Sequence, residues 1–335
     1  MHLRCRAVAT TSVTTTGFAD LEGSLEGHRR ELTGYCYRML GSGFEAEDAV
    51  QETMVRAWKA VERFEGRSSL RSWLYRIATN VCLDMVKGPQ RRARPMDLGP
   101  SSTADSALGS PRPEHAWVQP VPDAMVVPAE GDPAELAASR DSIRLAFVAA
   151  LQQLPARQRA VLILREVLRW QATEVAELLD TSVASVNSAL QRARATIAAG
   201  RTDGAAPSPV VDADQQALLA RYVDAFERYD MDALVALLRD DAVMSMPPFA
   251  LWLEGTEQIV AWLVGQGRGC EGSRLVATAG AGGPAFGSYK PAGDGTLQPW
   301  AIQVIELSDG RISGYHHFLG PELFGLFGLP PQLTE

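Results

Sequence analysis

Three things are scarce in this sequence, and each scarcity removes a class of protein. The four cysteines (Cys5, Cys36, Cys82, Cys270) are scattered, with no C-x-x-C pair and no histidine nearby. A disulfide framework and a zinc site are both excluded, no metal or cofactor is expected, and a reduced, cytoplasmic compartment fits best. No apolar run approaches the ~18 residues that a membrane span requires. The opening MHLRCRAVATTSVTTTGF lacks the continuous apolar centre of a signal peptide, so residues 1–27 read as a disordered, Thr-rich extension.

What is present is length and a divided charge. At 335 residues the chain exceeds one comfortable core, and two or three domains are expected. The formal net charge of −8 conceals a pattern. Residues 28–94 carry 13 Lys+Arg against 8 Asp+Glu (+5), and 141–200 carry 7 against 5 (+2). Residues 95–140 carry 2 against 7 (−5), and 201–335 carry 8 against 17 (−9). Two basic segments alternate with an acidic connection and an acidic C-terminal part.

Periodicity divides the chain along the same lines. In 28–94 the stripe Val50, Met54, Ala57, Val61, Phe64 predicts one helix, and Leu70, Trp73, Leu74, Ile77, Val81, Met85 predicts the next. Ser68 or Ser69 can cap the second, and Gly88 with Pro89 ends it. Residues 95–140 hold 8 of the 20 prolines and read as a linker. Helical spacing returns over 141–200, and 201–212 is a second linker. Helices in 213–239 and 255–265, then strands at 241–246, 274–278, 284–290, 298–308 and 311–318, predict an α+β domain over 213–329, with 330–335 as a tail.

The stretch TEVAELLDTSVASVNSALQRARAT (173–196) reads as two helices about a tight turn, with Ser182 as N-cap of the second. At 100° per residue, Val186, Leu190, Ala193 and Ile197 share one side. Asn187, Gln191 and Arg194 share the other, flanked by Ser185, Ser188 and Arg192. Amides can read base edges in a major groove, and the arginines can reach phosphates. An ordinary α-hairpin with a solvated polar face is the alternative reading of the same pattern.

Two blocks resemble the extracytoplasmic-function group of sigma-70-family factors. YCYRMLGSGFEAEDAVQETMVRAWKAVERFEGRSSLRSWLYRIATNVCLDMVKGPQRR (35–92) is similar to their second domain, and LPARQRAVLILREVLRWQATEVAELLDTSVASVNSALQRAR (154–194) to their fourth. LLARYVDAFERYDMDALVALLRDDAVMSMPP and GYHHFLGPELFGLFGLP resemble a SnoaL-like cone, which a subset of these factors, the SigG-type, carries fused at the C-terminus. The resemblance implies a multidomain fold: two all-α sigma domains, the second a helix-turn-helix, plus a C-terminal α+β SnoaL-like cone.

It also implies partners, core RNA polymerase and promoter DNA, and roles. Ser185, Asn187, Ser188, Gln191, Arg192 and Arg194 would read the −35 element. Arg67, Ser68, Arg71 and Asn80 would handle the −10 element, with Arg91, Arg92 and Arg94 as a basic tail for duplex phosphates. The polar ledge Glu47, Asp48, Gln51, Glu52 would dock on polymerase, or else is a solvated helix face. Trp58 and Trp73 are expected in the core. The acidic connection would thread a polymerase channel that RNA later fills. Many relatives carry arginines where Asn187 and Ala189 stand, so the motif read should differ.

For the cone, cyclases of this fold use an Asp/His pair. His316 and His317 alternate on the last strand, yet no spacing demands that Asp241, Glu254 or Glu306 pair with either. Met246, Trp252, Tyr289, Gln303 and His316 are the candidate pocket, and catalysis is not expected. An acidic domain tethered to two basic ones is better placed to touch and modulate them, without a separate anti-sigma factor. Deleting 207–335 is expected to change promoter-dependent activity. A stand-alone DNA-binding regulator and a small-molecule enzyme are the rival readings.

Overall fold

The computed structural model describes residues 23–61, 64, 68–86, 91–199 and 212–334. The first helical domain is built from α1 (Arg29–Leu40), α2 (Gly43–Ala60) and α3 (Leu70–Met85). Gly41 ends α1 in the left-handed region (φ 76°), which lets Ser42 start α2 at once. Ser42 accepts from the Glu45 N–H, and Ser69 does the same for Ser72 at 3.1 Å at the head of α3. Leu32, Tyr35, Cys36 and Met39 meet Ala46, Ala49, Val50 and Ala57 of α2 and Leu74, Ala78 and Val81 of α3 in a core that water does not reach. Trp73 is half-buried against Phe64, with ring centroids 4.9 Å apart. Trp58 corrects the sequence expectation: it is 48% exposed. It lies about 80° round the helix from the Val50 stripe, beside Gln51, and Ala57 closes the core in its place.

The Pro-rich segment after Arg94 is not a free tether. It forms α4 (Asp123–Val126), α5 (Pro133–Asp141) and an extended strap packed on both neighbours. Trp117, Val118, Val121, Val126 and Val127 are buried. Proline removes donors and fixes φ, so the strap runs extended and bonds through its remaining amides. Gln119 donates its N–H to Gly41 O (2.9 Å) and accepts from the Tyr37 hydroxyl (2.8 Å).

The second helical domain follows as α6 (Leu145–Gln152), α7 (Ala156–Leu162, continued by a wider turn over Ile163–Val167), α8 (Ala172–Leu178) and α9 (Val183–Ala199). Asp180 takes φ 50° at the α8–α9 turn. Val175, Ala176 and Leu179 meet Val186, Leu190 and Ala193 across it. Buried Arg159 donates to Leu151 O (2.9 Å), Gln152 O, Leu154 O and Met39 O. It thereby satisfies the open carbonyls at the end of α6 and ties this domain to α1. Burial lowers its guanidinium to about 10.

The C-terminal domain contains α10 (Ala213–Glu227), α11 (Met231–Val235), β1 (Leu238–Ser245), β2 (Trp252–Glu254), α12 (Thr256–Val264), β3 (Arg274–Gly280), β4 (Gly283–Pro291), β5 (Thr296–Ser308), β6 (Arg311–Leu319), α13 (Glu322–Leu326) and β7 (Leu333–Thr334). The sheet order is β2-β1-β6-β5-β4-β3, with β7 on β5; β1–β6 is the parallel pair. Strand alternation divides its residues between two cores. Phe286, Ile305 and Tyr315 face Tyr222, Phe226 and Trp262. Ile302, Val304 and Phe318, with Tyr289 and Phe324, join the core of the helical domains.

Candidate nucleic-acid interface

Every residue expected on the reading face of α9 is exposed: Ser185, Asn187, Ser188, Gln191, Arg192 and Arg194. Ser182 caps the helix by accepting the Ser185 N–H at 3.2 Å. At the start of α8, Glu174 supplies what Gln171 lacks, accepting the Gln171 N–H at 2.6 Å. Arg194 pairs with Glu166 at 2.5 Å, both well exposed. A surface pair of that kind is worth ~1 kcal/mol at most, so a phosphate displaces the carboxylate readily.

The residues assigned to the −10 element are not brought together on one open surface. Ser68, Asn80 and Arg91 are exposed, whereas Arg67 lies outside the described residues. Arg71 donates to Glu31 at 2.8 Å and lies over the rings of Tyr75 and Trp170. Arg94 is occupied by Asp97 at 2.9 Å. Arg92 corrects the expectation of a phosphate contact. It is buried, ion-paired with Glu45 at 2.5 Å, and donates to Trp117 O (2.8 Å) and Glu114 O (3.1 Å). The strap needs a cation to hold its carbonyls, and Arg92 supplies it. Arg92→Ala should cost ~1–3 kcal/mol for each carbonyl it strands, with little added by Glu45, which is 38% exposed. A lower melting temperature with unchanged DNA affinity per folded molecule is the expected result; unchanged stability contradicts it.

On α2, Glu47, Asp48, Gln51 and Glu52 form an exposed ledge, continued by exposed Val55 and Trp58. Glu52 accepts from Arg56 at 2.7 Å. An acidic rim beside an accessible tryptophan is an arrangement suited to a protein partner.

The five residues proposed for a pocket in the cone are scattered. Met246 and Gln303 lie on the interior side, where Gln303 accepts from Tyr222 at 2.6 Å. Tyr289 belongs to the opposite core and donates to Pro330 O. Trp252 donates its indole N–H to Gly99 O (3.0 Å) in the strap. His316 contacts Ser245 (2.9 Å) and Glu306 (3.7 Å), in a recess of about 10 Å³. It is His317 that turns inward, stacked edge-on to Tyr315 with centroids 4.1 Å apart. Alternation alone could not say which histidine would face inward. The interior itself is filled by Tyr222, Phe226, Phe286 and Tyr315 in mutual ring contact.

Burial lowers His317 to about 3, and His316 and Lys290 act in the same direction. Burial would raise the Glu306 carboxyl, but His316, with Arg94 and Arg144 nearby, brings it down to about 2. Both folded values lie below the unfolded ones, so both groups stabilise fully above the unfolded pKa and lose that contribution as pH falls. For His317 the loss begins near pH 6.5, at about 1.4 kcal/mol per pH unit. His317→Leu should flatten this slope in urea unfolding between pH 6 and 5; an unchanged slope contradicts the assignment.

Comparison with known proteins gives three family matches along the chain. The Sigma-70 region 2 family matches residues 25–92, Sigma-70 region 4 matches 144–197, and the SnoaL-like domain family matches 219–315. The ECF RNA polymerase sigma factor SigG of Mycobacterium tuberculosis is 45% identical over 94% of this chain and 85% of its own. SigJ of the same organism is 24% identical over 89% of this chain and 91% of its own. The crystal structure of SigJ shares the fold, with a TM-score of 0.58 over 92% of this chain and 100% of that one, at 21% identity. On the matched regions and the extent of identity to SigG, this chain belongs to the ECF RNA polymerase sigma factors.

Proposed function

We propose that this sigma factor directs core RNA polymerase to its own set of promoters, and that its C-terminal domain is a built-in modulator acting through the strap. Asn187 and Gln191 of α9 read −35 base edges, with Arg192 and Arg194 on phosphates. The ledge Glu47, Asp48, Gln51, Glu52, with Val55 and Trp58, docks on polymerase. Ser68, Arg71 and Asn80 meet the −10 strand. The cone works by contact and not by catalysis, which its ring-filled interior and neutral His317 support. A separate anti-sigma partner is not required, and the site of action is the cytoplasm.

The observation carrying the modulator is how the cone holds the strap. Ser102 N–H donates to Trp252 O (2.8 Å), and Arg112 N–H to Pro248 O (2.9 Å). Ala104 is gripped from both sides by Gln258 (2.9 Å) and Gln266 (3.0 Å). At the other edge of the sheet, Ala281 N–H donates to Val121 O and Gly282 N–H to Asp123 Oδ1, each 2.9 Å. Because the cone shares a core with the helical domains, deleting 207–335 would bare that core. Point substitutions in the contact test the modulator more cleanly.

For promoter reading, Asn187→Ala and Gln191→Ala should each remove ~1–3 kcal/mol of discrimination at one −35 position. Run-off transcription from a promoter library by reconstituted holoenzyme reads this directly. An unchanged sequence preference in both variants would remove α9 from base reading.

A further inference from the structure

Resting on the reading of α3 as the −10 surface, we infer that the described arrangement is a latched state in which Trp170 occupies the seat of a promoter base. The indole of Trp170 packs on Tyr75, with centroids 5.0 Å apart. The Arg71 guanidinium lies 5.2 Å from the centroid of Tyr75 and 5.3 Å from that of Trp170. Arg76, one turn on, donates to Glu177 O of α8 at 2.8 Å. Tyr75 is fully buried and Trp170 is 5% exposed. An aromatic face with a cation beside it is the platform on which proteins stack unpaired bases. Here an aromatic ring of the same chain fills it. Trp170 is not held by its polar edge: its buried indole N–H has no partner among the described residues. The ring is therefore held by stacking and apolar packing, with no hydrogen bond to its edge, as a stacked base would be.

Geometry requires this latch to open. Elements 25 base pairs apart are separated by roughly 85 Å of duplex, whereas α8 lies against α3 here. The 46 residues of 95–140 could span roughly 150 Å if extended, enough for both elements to be held at once. In the latched state that length is stitched to the cone and to α1 instead. The strap sets the distance between the two reading surfaces, and Trp170 covers one of them until the strap is released.

The test uses the full chain. A fluorescent single strand carrying the −10 sequence of a promoter that the holoenzyme opens is titrated with wild type, Trp170→Phe and Trp170→Ala. Trp170→Ala should bind it about tenfold more tightly, and Trp170→Phe, which keeps a stacked ring, close to wild type. Equal affinity for wild type and a folded Trp170→Ala overturns the latch. Because Trp170 also packs in the core, a second measurement keeps the wild-type ring. Spin labels at Met85→Cys and Thr173→Cys, with Cys5 and Cys270 changed to serine, should report one short distance in the free protein and a longer one with core polymerase. An unchanged distance while open complexes form overturns the latch and leaves the sigma assignment intact. No open complex from wild-type holoenzyme would instead overturn the function on which the latch rests.

Discussion

Gly282→Ala frees the strap from the cone and raises promoter-dependent transcription at limiting core polymerase by about tenfold. The expectation starts from backbone geometry. Gly282 sits at φ +77°, where a β-carbon costs ~1–2 kcal/mol by itself. That carbon would also lie 2.2 Å from Arg140 O and 2.9 Å from Arg140 C. Both are backbone atoms at the end of α5, so no side chain can swing aside. The turn must withdraw, and with it go the bonds from Gly282 N–H to Asp123 and from Ala281 N–H to Val121. Asp123 is only partly exposed there and burial raises its pKa, so losing that N–H leaves its carboxyl less well solvated. A few kcal/mol against the docked state is enough for a tenfold shift in population. Gly310→Ala is the matched control: it has φ +69° and nothing within 4 Å of the new carbon. Limited proteolysis should cut within 95–140 faster in Gly282→Ala than in Gly310→Ala. Equal cleavage and equal transcription in the two would show that the cone does not hold the strap in any state that matters.

Reversing two charges on α2, Asp48→Lys with Glu52→Lys, should weaken binding to core polymerase by about a hundredfold. Both side chains are exposed, so folding has little stake in them. Facing a basic partner, each reversal replaces an attraction by a repulsion, and like-charge juxtaposition costs several kcal/mol. The association rate should fall most, and raised salt should narrow the gap between variant and wild type. Fluorescence anisotropy with labelled protein measures both. Unchanged affinity across ionic strengths would return the ledge to an ordinary solvated helix face.

The helical domains were legible because their signals are local. A serine before an apolar stripe predicts a capped helix, and Ser69 and Ser182 cap as expected. The strands of the cone were legible for a related reason, period-2 alternation between glycines. What the sequence concealed is long-range. Composition gives 95–140 as a linker, since proline and acid dominate it. Its few apolar residues, Trp117, Val118, Val121, Val126 and Val127, find their partners in two other domains. No window of the sequence contains those partners. The same holds for Arg92, whose basic neighbours suggest DNA although its bonds go to Glu45 and the strap. Trp58 differs for another reason: it borders the apolar side of α2, yet its helical angle puts it at the edge of the ledge. In the cone, alternation announced that one of two adjacent histidines would turn inward, and only the strand register decides for His317.

The charge pattern has a matching physical sense. A +2 reading domain has little grip on a polyanion of its own. Polymerase must supply much of the affinity, and on the proposed reading the acidic cone and strap hold the two basic domains in reserve.

Permanganate footprinting of a cognate promoter, with protein alone, core polymerase alone and the two together, tests the account most directly. Reactive thymines around the −10 element should appear only with both present, and should increase when Gly282→Ala replaces wild type. Strong, sequence-specific binding by the protein alone, with no opening when polymerase is added, would contradict it.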